Sequence, residues 1–387
     1  MKTARRAPRL ARLTGAVTAT VLVTGCGLGA PPEPEPGQGA PVFPTPSAAA
    51  TPGEVDEVHE VVAAGLAVPW GIDFLPDGAA LVTERDTGRI LRVGPEPDTD
   101  GLVTEEVQTI SEIDNTGEGG LLGLAVSPDY LADGLVYVYY TTADDNRIAS
   151  LTLGDEPAPI VTGIPRDDTH NGGRLAFGPD GYLYAGTGDA GEPDRAQDDQ
   201  DLAGAILRMT PDGEPAPGNP DDSLIYAIGV RNVQGLAWDG QEQLWATDFG
   251  ADDWDELNQI EPGANYGWPQ VEGVGNDPEF VDPKVVWEPA EASCSGAAIT
   301  GDTLLTACLR GERLWAMTLT DSGAVWGAPE PMLIEEYGRL RTVVAAPDGS
   351  LWVTTSNRDG QAPDGPDPDD DRILRLVLAG SDGAGQV

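Results

Sequence analysis

The chain has 387 residues, 50 of them glycine and 34 proline, and a formal net charge of −43. That length suits one large domain, and the glycine and proline load calls for many turns between short elements. So acidic a balance excludes nucleic acid and anionic membrane surfaces as natural partners, because like charges repel at every approach.

The N-terminus reads as an export signal over residues 1–25. Lys2, Arg5, Arg6, Arg9 and Arg12 make a basic region, and "LTGAVTATVLVTG" is an apolar run too short to span a bilayer as a helix. The run ends in "VTGC", which is similar to the lipidation motif of bacterial lipoproteins and points to Cys26 as the modified residue. Residues 26–53 follow as a tether rich in proline, alanine and glycine, a composition that cannot build a core. The expected location is the outer face of the cell envelope, with the membrane reached only through a lipid anchor.

From residue 54 to residue 387 one pattern recurs: an apolar strand, a turn often spelled Pro-Asp-Gly, and a second strand. Examples are "WGIDFLPDGAALVTERD", "GRLAFGPDGYLYAGTGD" and "LRTVVAAPDGSLWVTTSN". Six copies begin near Trp70, Leu121, Gly173, Gln234, Gly296 and Leu340, a period of roughly 45–60 residues. The second strands alternate large apolar with small or polar residues, as half-buried strands do. Six such units predict an all-β fold, a six-bladed β-propeller. "VHEVVAAGLA" before the first unit and "RILRLVLAG" after the last are expected to share a blade and close the ring. Cys294 and Cys308 flank the hairpin turn at Gly301 and Asp302, so a cross-strand disulfide is expected in an exported protein. The acidic run from Asp364 to Asp371 reads as a solvated loop.

Superimposing the units locates a site. His170 falls on Arg231, and the same place in other units lies beside Glu118 or beside Arg339 and Arg341. Asp189, at the end of a second strand, aligns with Gly250 and Arg310. In a propeller the first strand of each unit is innermost, so these positions meet at one mouth of the central channel. One imidazole, two carboxylates and four arginines gathered there describe a pocket for a multiply anionic ligand. Gly172 and Gly173, next to His170, are expected to let a planar ligand approach the backbone.

The ordered set "HNGGRLAFGPDGYLYAGTGD", "GVRNVQGLAW", "DELNQIEPGANYGWP" and "GRLRTVVAAPDGSLWVTT" resembles the soluble aldose sugar dehydrogenases that depend on pyrroloquinoline quinone (PQQ), the glucose/sorbosone dehydrogenase family. The resemblance runs from Val58 to Leu378. It implies a quinoprotein oxidoreductase that oxidises the C1 hydroxyl of aldose sugars to lactones, with hydride passing to PQQ and electrons then to an external acceptor. It implies that His170 is the catalytic base, that Asp189 orients it, and that Arg231 acts beside it. Glu118, His170, Arg231, Asn232, Arg310, Arg339 and Arg341 would hold PQQ. The carbonyls of Gly250 and Ala251 would bind its calcium, and Glu256 with Tyr266 a further calcium, both reasonable as oxygen ligands. The nine tryptophans read mostly as packing between blades, with Trp287 the one offered as a neighbour of the cofactor. Arg310 stands where the family carries lysine, Glu118 near a family glutamine, and Ala251 in place of a proline. The long insertions of the dimeric glucose dehydrogenases are lacking, which favours a monomer. Two other readings fit a propeller: a non-catalytic cell-surface carbohydrate-binding protein, and a calcium-dependent lactonase. The lactonase would need acidic and asparagine ligands about the axis, where this chain gathers arginines.

Overall fold

The Pro-Asp-Gly triplets make the tight turns that the repeat requires. Gly78, Gly181 and Gly349 close three of them with φ of +85°, +79° and +83°, a left-handed backbone that favours glycine. The aspartate of each triplet is held the same way. Asp77, Asp180 and Asp348 each accept a hydrogen bond from the backbone N–H two residues on, at 2.9–3.1 Å. The other oxygen of each pairs at 2.8 Å with an arginine on the third strand of its unit, Arg92, Arg208 or Arg375. One turn thus fixes three strands.

The computed structural model describes residues 58–95, 102–363 and 365–377. Cys26, the export signal and the tether lie outside the described residues. Six antiparallel sheets of four strands follow in chain order. Blades 1 to 5 cover residues 69–109, 121–164, 175–228, 233–287 and 294–332. Blade 6 takes its three inner strands from residues 340–376 and its outermost from Val58–Ala63, paired so that Val58 faces Leu376. The expected six-bladed propeller and its closure by both chain ends are therefore found. No helix among the described residues is long and apolar enough to cross a membrane.

The first strand of each blade is innermost, and these strands pack against one another around the axis. Glycine permits this. A Cβ on Gly71 would lie 2.8 Å from the Leu122 carbonyl of the next blade, and one on Gly296 would lie 2.7 Å from the Thr342 Cα. Gly123 and Gly235 meet their neighbours closer still. Threonine hydroxyls stitch the same seams: Thr83 donates to the Leu122 carbonyl, Thr247 to that of Ser295 and Thr342 to that of Trp70, each at 2.6 Å. Apolar side chains fill the space between blades. Between blades 4 and 5 the core holds Trp245, Trp287 and Trp315 around the Cys294–Cys308 disulfide, which forms as the hairpin register predicts. Trp287 is fully buried there against Trp315, so it does not reach the mouth.

The acidic run near the C-terminus is not simply solvated. Asp371 is buried and accepts hydrogen bonds from the N–H of Val68 at 3.2 Å, the N–H of Asn357 at 2.6 Å and the Thr355 hydroxyl at 3.2 Å. It ties the chain entering blade 1 to the end of blade 6. Burial pushes its carboxyl up to about 6, from 3.8. Asp371→Ala strands these donors and is expected to cost about 3 kcal/mol, at roughly 1–3 kcal/mol per unsatisfied buried group, read as a lower urea midpoint. The raised value also sets a sign. The proton-linked part of Asp371's contribution is full below 3.8 and is lost as pH rises through about 6, so this component should vanish from the stability profile of the variant.

Candidate functional site

The starts of the inner strands and the ends of the second strands converge on a cavity of about 160 Å³ at one mouth of the channel. His170 stands in its wall with φ of +55°, in the turn before the inner strand of blade 3. Its backbone N–H donates to Glu118 Oε2 at 2.9 Å. Its ring has two partners: Nδ1 lies 2.7 Å from Asp189 Oδ1, and Nε2 lies 2.9 Å from Arg231 Nη2. A guanidinium only donates, so Nε2 accepts and Nδ1 carries the proton to Asp189. The tautomer is fixed from both sides.

Asp189 is fully buried. Burial works against its charged form. The hydrogen bond and charge of His170, the indole N–H of Trp268 at 2.9 Å and the N–H of Gly191 at 2.9 Å outweigh it and hold the carboxyl below the usual range. Arg231 donates through Nη1 to the Phe249 carbonyl at 3.1 Å and lies over the Trp268 ring, 5.4 Å from its centroid. Its Nε is buried with no acceptor.

Opposite this group lie the arginines of blades 5 and 6. Arg339 makes two bonds to Asp359 Oδ2, at 3.0 and 2.9 Å, and Arg341 reaches the same oxygen at 3.4 Å. One carboxylate serves two guanidiniums. Burial pushes Arg341 down to about 10. Beneath them Arg174 stacks on Trp70 at 4.3 Å and donates to the Gln234 carbonyl and the Thr342 hydroxyl. Burial, then the charge of Arg341, pushes it down to about 9. Arg310, an exposed side chain, lines the cavity, and its charge acts on the Asp255 carboxyl. Buried donors without acceptors and cations that crowd one another suit a polyanion.

Gly250 and Ala251 also line the cavity, and nothing among the described residues donates to either carbonyl. Asp255 accepts from the N–H of Gly250 and of Ser293, and burial pushes its carboxyl up to about 6. Glu256 and Tyr266 do not line the cavity. The Tyr266 hydroxyl donates to the Gln259 carbonyl and accepts from the Glu261 N–H, which leaves only its carbonyl for a cation. Glu256 is buried beside Asn258, whose Oδ1 has no partner. Burial, then the charge of Asp248, raises the Glu256 carboxyl to about 8. A buried carboxyl next to an amide oxygen without a partner is oxygen chemistry that would suit a divalent cation. Among the described residues no group of three or more histidine, cysteine or acidic side chains is arranged to hold a metal.

Gly172 and Gly173 do not line the cavity, contrary to expectation. A Cβ on Gly172 would strike Thr187 and one on Gly173 would strike Leu122, so both serve packing between strands. Asn232, by contrast, does line the cavity, and it also braces the scaffold: its Oδ1 accepts from the Gly172 N–H at 2.9 Å.

A family model described as glucose/sorbosone dehydrogenase matches residues 66–364. The chain belongs to this family. Among solved structures it is similar to the PQQ-bound aldose sugar dehydrogenase of Streptomyces coelicolor, with 48% identity, a TM-score of 0.80, and coverage of 85% of this chain and 100% of that one. It is 31% identical over 257 residues to quinoprotein glucose dehydrogenase B of Acinetobacter calcoaceticus, 56% of this chain and 53% of that one. The aldose sugar dehydrogenase YliI of Escherichia coli is 26% identical over 349 residues, 78% of this chain and 91% of that one.

Sequence reasoning missed Arg85, which lines the cavity with Nε 2.6 Å from Asp86. A signal existed: Arg85 stands two residues beyond Thr83, as Asp189 stands two beyond Thr187. Trp268 and Asp359 were missed because they sit in long loops outside the repeat. Trp268→Phe removes one donor from Asp189 and keeps an aromatic face for Arg231. The Asp189 carboxyl should then titrate at higher pH than in the parent, followed by its carbon-13 shift; an unchanged titration would show that the indole N–H does not matter there.

Proposed function

We propose that the chain is a PQQ- and calcium-dependent aldose dehydrogenase that oxidises the C1 hydroxyl of an aldose to the lactone and passes the electrons to an external acceptor. The observation that carries this reading is the imidazole of His170, its proton held on Nδ1 by Asp189, in a cavity walled by arginines. The likeness to the PQQ-bound Streptomyces enzyme supports it. PQQ is a tricarboxylate, and it suits a cavity that Arg310 lines, where Arg231 Nε has no acceptor and Arg339 and Arg341 share one carboxylate. Calcium suits the free carbonyls of Gly250 and Ala251.

PQQ, when bound, supplies the quinone that takes up the two electrons. The chain handles the proton. His170 accepts it from the sugar hydroxyl at Nε2, the nitrogen whose lone pair Arg231 occupies. The guanidinium therefore has to release the ring as substrate enters, so substrate binding and base activation are linked. Asp189 stays anionic and stabilises the imidazolium that forms. A positioned base of this kind contributes about 10²–10⁴ in rate. Arg231, still cationic and nearby, stabilises negative charge that develops during the step.

Two variants separate chemistry from binding. His170→Ala should lower turnover by about 10²-fold or more and leave PQQ affinity intact. Arg339→Ala should weaken PQQ by about one to two decades, the scale of a lost charge-assisted contact of roughly 1.5–3 kcal/mol, and excess PQQ should restore it. Dye reduction with a panel of aldoses, with and without PQQ and Ca²⁺, is the measurement. PQQ binding without turnover of any aldose would favour the non-catalytic carbohydrate-binding reading. Full activity in excess chelator would remove calcium from the proposal.

The same proposal holds the chain as a monomer at the outer face of the cell envelope through a lipid on Cys26, supported by the basic, apolar and "VTGC" sequence that precedes the tether. Cys26→Ser should move the protein from the membrane fraction to the soluble one.

A further inference from the structure

The loop 250–254 joins the strands Leu244–Asp248 and Asp255–Ile260 of blade 4 and brings Gly250 and Ala251 to the cavity wall. Its backbone is organised around a single atom. The N–H groups of Ala251, Asp252, Asp253 and Trp254 all donate to Glu272 Oε1, at 2.8, 3.1, 2.9 and 2.9 Å. Successive N–H groups wrapped around one anion form a stable nest. Gly250 is required at its rim, since a Cβ there would lie 2.6 Å from the same oxygen and closer still to the Trp254 carbonyl.

Peptide geometry carries the consequence. A trans peptide is planar, with its N–H and C=O on opposite sides. The Ala251 N–H shares a plane with the Gly250 carbonyl, and the Asp252 N–H shares one with the Ala251 carbonyl. Holding both N–H groups on Glu272 turns both carbonyls away from it. These are the two carbonyls to which nothing among the described residues donates.

We infer that Glu272 is a positioning residue: its carboxylate folds the loop so that the Gly250 and Ala251 carbonyls stand ready as a pair of oxygen ligands for a divalent cation at the mouth. This rests on the calcium reading given above. Glu272 does not itself touch the cation. It acts on the ligands from behind, in the way that partners of metal ligands commonly shift affinity by about 10–100-fold.

The test compares Glu272→Ala and Glu272→Gln in the full chain, titrated with Ca²⁺ by calorimetry in the presence and absence of PQQ. Both variants lose the same charge, but only glutamine keeps an acceptor oxygen. The expected result is a loss of Ca²⁺ affinity of about tenfold or more for alanine and a clearly smaller loss for glutamine. Equal losses in the two variants would overturn the inference, because charge alone would explain them. Unchanged affinity in both would overturn it as well. Failure of the parent chain to bind Ca²⁺ in either condition would instead sink the calcium reading, and this inference with it. Hydrogen exchange gives a readout that needs no stable alanine variant. The amides of Asp252 and Asp253, on exposed residues, should exchange slowly in the parent chain and more slowly still with Ca²⁺. Fast exchange there would show that the nest does not hold in solution.

Discussion

The structure depends on how closely six strands can approach one axis. Backbone has to pass backbone at distances that leave no room for a Cβ, and Gly71, Gly123, Gly235 and Gly296 provide this on four of the six innermost strands. The polar backbone exposed by that approach still needs partners, and the threonine hydroxyls at the seams supply them. Once the inner strands are locked at this spacing, the residues just before each strand are fixed in a small circle. His170, Glu118, Arg231, Arg339 and Arg341 acquire their mutual distances from that circle and not from local sequence.

The electrostatics of the mouth follow from the same confinement. A chain with a large negative excess crowds guanidiniums together here; burial makes Arg174 and Arg341 less willing to be charged, and neighbouring arginines add to the cost. Asp359 relieves two of them; Arg174 has only a carbonyl, a hydroxyl and an indole face. Across the cavity the direction reverses. Asp189 is surrounded by donors and stays charged, while Asp255 and Glu256 are pushed toward neutrality by burial. The mouth therefore gathers crowded guanidiniums on one side and carboxyls raised by burial beneath the other. In the proposed reading, an anionic ligand and a divalent metal would relieve complementary halves of that imbalance.

What the sequence disclosed follows the repeat. His170, Asp189, Arg231, Arg310 and Arg339 were legible because six copies of a strand pair define equivalent positions, and equivalent positions share an end of the axis. The disulfide was legible because a hairpin turn sets register. Arg85 was legible by the same logic and was overlooked. Trp268, Glu272 and Asp359 were not, because they enter from loops with no counterpart in the other units, and nothing local says where such a loop returns. The glycines beside His170 misled for a related reason. A glycine records that something lies close, and the sequence does not say whether that neighbour is a ligand or the next strand. Asp371 misled in the same way, since an acidic run looks solvated until the fold supplies buried donors for one of its members.

The blade that completes the ring joins the first described strand to the last, with Val58 opposite Leu376. During synthesis these partners are separated in time as well as in sequence. Val58–Ala63 is synthesised before the strands of the other five blades, and its neighbour Ile373–Leu376 after them. The entropy of closing so long a loop grows only slowly with its length, so the wait is thermodynamically mild. It is kinetically exposed, because an unpaired strand edge is a template for any other strand that arrives first. The strand that seals the propeller is thus made well before the strand it pairs with.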